Sequence, residues 1–192
     1  QVRFDIAMSS IDPSIKIIAP IREMNLTRDR ELAYAKKNNV PLNDEIKKYS
    51  TDTNIWGRAI EAGQLEDPWL EPPEEIFSLV KNKMIPREYL EIEFEKGTPV
   101  GVDNKKMNLL EIIRYLNVKA GKHGVGVVDH IEDRVVGIKT REIYEAPAAQ
   151  TILAAHKDLE QLVLTKHELS FKQLVEDKWS WMVYSGLWFG PL

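Results

Sequence analysis

Cysteine is absent from the 192-residue sequence, and every structure that depends on a thiol is absent with it. No disulfide can cross-link the fold, no thiolate can bind zinc, and no cysteine can act as a nucleophile. No window approaches 18 consecutive apolar residues, so we expect no membrane-spanning segment. The 26 lysines and arginines are outnumbered by 30 aspartates and glutamates, which argues against a nucleic-acid partner.

Motifs for nucleotide or metal binding are also missing. The chain has neither a GxxxxGK(S/T) phosphate loop nor a GxGxxG fingerprint, and its few histidines form no HExxH or HxH pair. We therefore expect structural or surface roles for the histidines, which are His123, His130, His156 and His167. The glycine-rich run 121–126 precedes a strand pattern rather than a helix. That order favours a tight turn with close backbone packing, although ligand contact stays open as an alternative.

The composition is that of a globular protein, with 43% hydrophobic and 29% charged residues. Its length suits one large domain, or one domain plus a piece of another. The first residue is not Met, and no signal sequence replaces it. The chain therefore reads like a sequence entered partway through.

Local patterns in the first half predict one strand, one helix and a long irregular segment. The β-branched run 15–20 ends at a proline and predicts a buried strand, and a helix over 28–38 follows, with Thr27 as its N-cap. A strand followed by a helix fits the last unit of an α/β layer. Residues 41–87 are interrupted by prolines, with a short helix predicted over 74–81. This segment is a binding loop or, as the favoured reading, a surface connector.

The second half predicts hairpins alternating with helices, hence an α+β fold with antiparallel strands. An aromatic cluster over 179–189 favours a core or a subunit interface over a platform for stacking bases. The predicted elements are strands 90–95 and 100–103, a helix over 107–120 ended by Gly121, strands 124–129 and 134–139 with a turn at Glu132 and Asp133, and helices 146–165 and 167–184, the last broken at Gly186.

Several strings, read in order, resemble the argininosuccinate synthase family. The most specific are AGKHGVG at 120–126 and IKTREIYEAP at 138–147. The supporting strings are QVRF at 1–4, IAPIR at 18–22, LEDPW at 65–69, LEIEF at 90–94 and LWFGPL at 187–192. The resemblance spans essentially the whole chain at the spacing typical of the family.

The resemblance implies a ligase of arginine biosynthesis. Members of the family condense citrulline with aspartate at the expense of ATP, bound with Mg²⁺, through a citrullyl-adenylate. The products are argininosuccinate, AMP and pyrophosphate. Such a protein is expected to be a cytoplasmic homotetramer with citrulline, aspartate and ATP as partners, and with no nucleic acid or membrane partner. Positioning and electrostatics would supply most of its catalysis.

The same resemblance implies which residues bind citrulline. Arg3, Ser50, Glu132 and Tyr144 match citrulline contacts of the family. A guanidinium suits a carboxylate or a polarised ureido oxygen, and a carboxylate beside a phenol suits an α-ammonium. Ala59 stands where the family usually has a second citrulline-binding serine, so one contact is altered. The resemblance assigns no catalytic, cofactor-binding or metal-ligating residue within the chain.

The fold class expected on this basis is α+β: a synthetase domain of mixed hairpins and helices, preceded by the last strand-helix unit of an α/β nucleotide-binding domain. Residues 1–38 would be the remnant of the nucleotide-binding domain, and 39–192 the synthetase and multimerisation domain without its C-terminal arm. The phosphate-binding Ser-Gly-Gly-Leu-Asp-Thr-Ser run of the family is not in the sequence. We therefore expect an inactive fragment of a longer enzyme. The alternative is a non-catalytic small-molecule-binding or assembly module.

Overall fold

A computed structural model describes residues 2–41, 48–81 and 85–189. The chain divides into two compact units, Gln1–Asp44 with Thr165–Leu192, and Glu45–Leu164. The helices are α1 (Val2–Ile11), α2 (Pro20–Glu23), α3 (Arg28–Lys37), α4 (Leu109–Lys122), α5 (Pro147–Val163) and α6 (Lys166–Ser185). The strands are β1 (Ser50–Thr53), β2 (Arg58–Glu61), β3 (Ile92–Glu95), β4 (Thr98–Val102), β5 (Lys105–Lys106), β6 (Val127–Asp133) and β7 (Lys139–Glu145). Helices with antiparallel strands confirm the α+β class.

The described part of the first unit contains helices joined by irregular segments and no strand, so the strand predicted over 15–20 is wrong. The segment between α1 and α2 is irregular, and the side chain of Ile18 is 82% exposed. None of the described strands pairs with this segment, and a strand is stable only when a neighbour takes up its backbone hydrogen bonds. Helix α1 was not predicted, although Phe4, Ala7, Met8 and Ile11 follow the spacing of one helix face; none of its residues is buried. The helix predicted after Thr27 is confirmed as α3.

The helix predicted over 167–184 is confirmed as α6, which is longer by one residue at each end. The Thr165 side chain accepts a hydrogen bond from the backbone N–H of Glu168, whose carboxylate in turn accepts from Thr165, so both ends of a capping box form. At the other end Gly186 adopts a left-handed φ of 71°, which terminates the helix.

The second unit contains a four-stranded antiparallel sheet in the order β1–β2–β7–β6. Ile60 and Ile143 lie directly opposite each other on β2 and β7 and are almost fully buried. They pack with Leu65 and Ile76 from the segment that follows β2. One face of this sheet therefore covers a hydrophobic core, which leaves the other face available for polar residues.

A three-stranded sheet, β3–β4–β5, packs with α4 and α5 around a second core. Its buried members are Val102, Ile112, Ile113, Leu116, Ala148 and Ile152. Helix α4 runs one residue past Gly121 instead of ending there, which corrects the prediction. A Cβ at Gly121 would lie 2.3 Å from the carbonyl oxygen of Leu79, so this glycine permits a close backbone approach within a helix. The close packing expected of the glycine-rich run is thus present.

The hairpin between β6 and β7 turns later than predicted. Glu132 and Asp133 lie in β6, and the turn is formed by residues 134–138, where Gly137 has a φ of 79° and its N–H donates to the carbonyl of Arg134. The strand predicted over 134–139 is therefore wrong, and β7 runs from Lys139 to Glu145. A glycine that can adopt a left-handed φ decided the turn, whereas the charged pair did not.

The segment predicted to be irregular contains β1, β2 and two short 3-10 helices, Gly63–Glu66 and Glu74–Ile76. The helix predicted over 74–81 is therefore limited to its first three residues. Strands as short as β1 and β2 carry too little alternation to be recognised in the sequence.

Candidate functional site

Four of the five residues expected at a citrulline site share one face of the four-stranded sheet. In an antiparallel sheet, residues directly opposite each other and residues two apart along a strand point to the same side. Ala59 lies opposite Tyr144, Glu132 opposite Thr140, and Ser50 opposite Glu61. We call this side the polar face; its members are Ser50, Asp52, Ala59, Glu61, Val128, His130, Glu132, Thr140, Glu142 and Tyr144.

Arg134 gathers three carboxylates at one end of the polar face. Its Nε donates to Glu132 Oε2 at 3.1 Å, its Nη2 donates to Glu142 Oε1 at 3.1 Å, and it forms a close ion pair with Glu61. Glu132 and Glu142 are each only 7% exposed. Three acidic groups around one guanidinium leave an excess of negative charge, which favours a cationic ligand group.

The cluster shifts the pKa of its members. Burial raises the pKa of Glu142, and the hydrogen bond and charge of Glu132 raise it further, while the hydrogen bond from Tyr144 acts in the opposite direction. For Arg134, burial lowers the pKa, but the charges of Glu61 and Glu132 outweigh it, so the net shift is upward. The guanidinium therefore stays charged, and Glu142 holds a proton more tightly than an ordinary glutamate.

Tyr144 is fixed by two neighbours on the polar face. Its hydroxyl donates to Glu142 Oε2 at 2.6 Å, and its ring stacks on His130 with centroids 5.0 Å apart and planes inclined by 16°. His130 Nδ1 is buried and has no hydrogen-bond partner among the described residues. The phenol is thus held in one orientation by a stack on one strand and a carboxylate on its own strand.

The opposite side of the same sheet anchors the segment that follows β2. Buried Glu145 accepts hydrogen bonds from the backbone N–H groups of Ser78, Leu79 and Val80 at 2.7–3.1 Å, and from Arg58 Nη1 at 2.6 Å. These charge-assisted bonds hold β2 and β7 to residues 78–80. The expectation of a surface connector is wrong for this part of the segment.

Arg141 makes a similar anchor nearer the hairpin. Its guanidinium pairs with both oxygens of Asp129 at 2.7–2.8 Å and donates to the carbonyl oxygens of Asp67 and Leu70. The hydrogen bond from Arg141 lowers the pKa of Asp129, so this pair stays ionised at neutral pH.

A cavity of about 670 Å³ opens beside the hairpin. Glu61, Arg134 and Thr140 line it and also belong to the carboxylate cluster or its immediate surroundings. This volume lies in the range of sites that hold small molecules. Ile131, Lys139 and Arg141 of the opposite side of the sheet line it as well, and none of Ser50, Ala59, Glu132 and Tyr144 does. The cavity therefore lies at the edge of the polar face and not over the expected citrulline residues.

Two family models match the chain, one on each side of residues 42–48. A family model described as "Arginosuccinate synthase C-terminal domain" matches residues 49–192, three quarters of the chain, and one described as "Arginosuccinate synthase N-terminal HUP domain" matches residues 1–41. The chain belongs to the argininosuccinate synthase family.

Individual relatives agree with the family models. Argininosuccinate synthase of Pyrococcus furiosus is 56% identical over the whole chain, and those of Methanocaldococcus jannaschii and Streptococcus gordonii are each 50% identical over the whole chain. The match covers 47% of the first relative and 49% of each of the other two. The chain thus spans about half the length of the curated relatives it matches.

The fifth residue expected from the argininosuccinate synthase resemblance, Arg3, belongs to the first unit. It is exposed on α1, and its guanidinium carbon lies 5.1 Å from the ring centroid of Tyr184 on α6. This cation–π contact holds the side chain within its own unit. Ala59 presents only a methyl group between Asp52 and Tyr144, its partners on the neighbouring strands.

Three residues of the polar face, Glu61, His130 and Glu142, were missed from the sequence, as was Arg134 in the adjoining turn. The signal was present as alternation, since His130, Glu132 and Arg134 follow each other at every second position. Placing the turn at Glu132 and Asp133 broke this alternation into two pieces. With the turn at Gly137, the alternation in both strands of the hairpin predicts that one side of the hairpin is polar.

Two further properties concern the described residues alone. They contain no group of three or more His, Asp or Glu side chains arranged to hold a metal ion. None of the helices within them is both long enough and apolar enough to cross a lipid bilayer.

Proposed function

We propose that the full-length protein containing this chain is an argininosuccinate synthase. It would join citrulline to aspartate using ATP, through a citrullyl-adenylate, and release argininosuccinate, AMP and pyrophosphate. Membership of the family over the whole chain supports this proposal. The relatives bear that printed name, and the polar face gathers the residues that the family resemblance assigns to citrulline.

The polar face is proposed to bind citrulline. The feature that supports this most is that Glu142 accepts a hydrogen bond from the hydroxyl of Tyr144 and also lies beside Glu132. The carboxylates around Arg134 give this region an excess of negative charge. An α-ammonium supplies both the positive charge and the N–H donors that this arrangement favours. Ser50, on the edge strand β1 opposite Glu61, adds a hydroxyl that can donate or accept, and Arg3 is proposed as a further contact.

Positioning is the part of catalysis that these residues can perform. Anchoring of β7 through Glu145 and of the hairpin through Arg141 holds the polar face rigid, so a bound substrate is oriented with little entropy to lose at the reaction step. ATP with Mg²⁺ supplies the activating phosphoryl chemistry. We assign neither ATP nor metal contacts to the described residues.

The test is citrulline binding by the full-length protein, measured by titration calorimetry, together with pyrophosphate release in the presence of ATP. Glu132→Gln and Tyr144→Phe should each weaken citrulline binding about tenfold or more, since each removes a hydrogen bond to a charged ligand group. Matched changes outside the face, Glu93→Gln on β3 and the fully exposed Tyr89→Phe, should leave binding unchanged.

Unaltered citrulline affinity in both polar-face variants would refute the assignment of the face. Binding of citrulline without any ATP-dependent pyrophosphate release would instead favour the alternative, a binding or assembly module without catalysis.

The remaining assignments rest on the same family. We propose a cytoplasmic homotetramer, with residues 1–38 belonging to the nucleotide-binding domain and 39–192 to the synthetase domain. Exposed apolar side chains on α6, among them Phe171, Leu174, Trp179 and Trp181, support burial of this helix between subunits.

A further inference from the structure

Tyr144 has one hydroxyl proton, and the group that accepts this proton decides whether the phenol oxygen can donate a hydrogen bond to a ligand or only accept one. The proton is donated to Glu142 Oε2 at 2.6 Å. A phenol oxygen that has spent its proton can still accept hydrogen bonds but can no longer donate one. Its character toward a ligand is therefore set by Glu142.

The orientation of Glu142 is fixed in turn by Arg134. Arg134 Nη2 donates to Glu142 Oε1 at 3.1 Å, which leaves Oε2 for the hydroxyl of Tyr144. A guanidinium only donates and an ionised carboxylate only accepts, so with Glu142 ionised the chain Arg134–Glu142–Tyr144 has a single direction. His130, stacked on the phenol ring, limits rotation of the ring away from Glu142.

We propose that Glu142 is a positioning and specificity-determining residue, which makes Tyr144 an acceptor and so selects ligands that present an N–H group there. This inference rests on the proposed function, in which the N–H group is the α-ammonium of citrulline. Glu142 itself acts through Tyr144 rather than by touching the substrate.

Glu142→Gln reverses the polarity of this chain without changing side-chain size. Arg134 accepts no hydrogen bond, so the amide oxygen of the glutamine turns toward it and the NH₂ group toward Tyr144. The phenol oxygen then accepts from the amide, and its own proton points toward the ligand. A donor now faces the donor of the α-ammonium, and binding is weakened.

A double-mutant cycle in the full-length protein measures this effect. Citrulline affinity is compared for the wild type, Glu142→Gln, Tyr144→Phe and the double variant. Glu142→Gln should weaken binding about tenfold when Tyr144 is present and less than about twofold when it is Phe. Glu61→Gln is the matched control, because it removes an equal charge from Arg134 without contacting Tyr144; its effect should be the same in both backgrounds.

A ligand comparison gives a second readout. 5-Ureidopentanoate lacks the α-ammonium, and the wild type should bind it at least about tenfold more weakly than citrulline. Glu142→Gln should lower this preference for citrulline about tenfold, and the part of the preference that Glu132 supplies should remain. Should this variant not fold, Glu142→Asp keeps the charge beside Arg134 but withdraws the acceptor from Tyr144, and the same loss of discrimination is expected.

The outcomes are distinguishable. An equal loss in both backgrounds, or unchanged affinity of Glu142→Gln while Tyr144→Phe is impaired, overturns the inference and leaves the proposed function standing. Unchanged affinity in Tyr144→Phe also overturns the inference, and the assignment of citrulline to the polar face is refuted as well only if Glu132→Gln is equally unaltered.

Discussion

At the scale of single residues, Glu142 is expected to favour ligand recognition and to lower the stability of the fold. Its carboxylate orders Tyr144, yet it is buried next to a second carboxylate, Glu132. A buried charge beside a like charge is costly, which is the physical reason for its raised pKa. Sites that hold such groups commonly sacrifice stability for function.

The raised pKa of Glu142 predicts a pH-dependent stability difference. The native state binds the proton of Glu142 more tightly than the unfolded chain, in which the pKa is 4.5. The stabilisation that protonation gives the native state is therefore complete below pH 4.5 and is lost as the pH rises through the native pKa. Glu142→Gln, which cannot ionise, should therefore gain stability relative to the wild type between about pH 4 and about pH 7. Urea denaturation of the full-length protein at both pH values measures the change.

Glu168→Gln provides a control of opposite sign. Hydrogen bonds from Thr165 lower the pKa of Glu168, so its contribution is present above the unfolded pKa and lost as the pH falls through the native value. At neutral pH this variant should be less stable than the wild type. At acid pH the stabilities of the two proteins should become nearly equal. A stability difference for Glu142→Gln that does not vary with pH would contradict the account of the cluster.

Ala59 gives a prediction about affinity. Ala59→Ser places a hydroxyl opposite Tyr144 on the polar face, where the family usually has one. We expect the KM for citrulline to fall by up to about fivefold, near 1 kcal/mol, with kcat unchanged. Steady-state kinetics of the full-length protein decides this, with Ala154→Ser on the exposed side of α5 as the control. An unchanged or higher KM would count against a citrulline contact at this position.

At the scale of elements, β7 contacts different partners on its two sides. Glu142 and Tyr144 face the carboxylate cluster, while Ile143 and Glu145 face the core. The alternation that defines a strand thus lets one segment both build the site and anchor the chain behind it.

Glu145 is expected to be the most sensitive of these positions. Glu145→Gln leaves Arg58 without its carboxylate and turns an NH₂ group toward three backbone donors. Removing one partner of a buried charged network costs about 3–5 kcal/mol, which denaturant unfolding of the full-length protein would measure. The exposed pair of Glu93 and Lys106 is the control, and Glu93→Gln should change stability little. Equal effects of the two variants would show that the Glu145 network is not an anchor.

At the scale of the whole molecule, the proposed assembly concerns α6. Its exposed apolar side chains are unusual for a surface helix, and association would bury them. Leu174→Glu should reduce the mass of the full-length protein, measured by light scattering, from that of a tetramer to that of a smaller species. The neighbouring Gln173→Glu adds the same charge to an already polar position and should leave the mass unchanged. A tetramer that survives Leu174→Glu would exclude this helix from the interface.

Much of the fold could be predicted from the sequence because some signals act within a few residues. Thr27 precedes α3 as its N-cap, Gly186 ends α6, and the alternation of Leu90 to Glu95 indicates β3. The expected site residues Ser50, Glu132 and Tyr144 were named from the family resemblance alone. Capping, helix periodicity and strand alternation are local, so they require no knowledge of the rest of the chain.

Which of these residues contact each other was decided only by the tertiary structure. The β-branched run 15–20 forms no strand because the described residues offer it no partner, and Gly121 lies within a helix because Leu79 packs against it. The joining of Tyr144, Glu142 and Arg134 depends on the register of the hairpin, which Gly137 sets. The sequence by itself determined the chemical groups and the local elements; the pairing of distant strands determined their common face, because backbone partners and charged neighbours come from elsewhere in the chain.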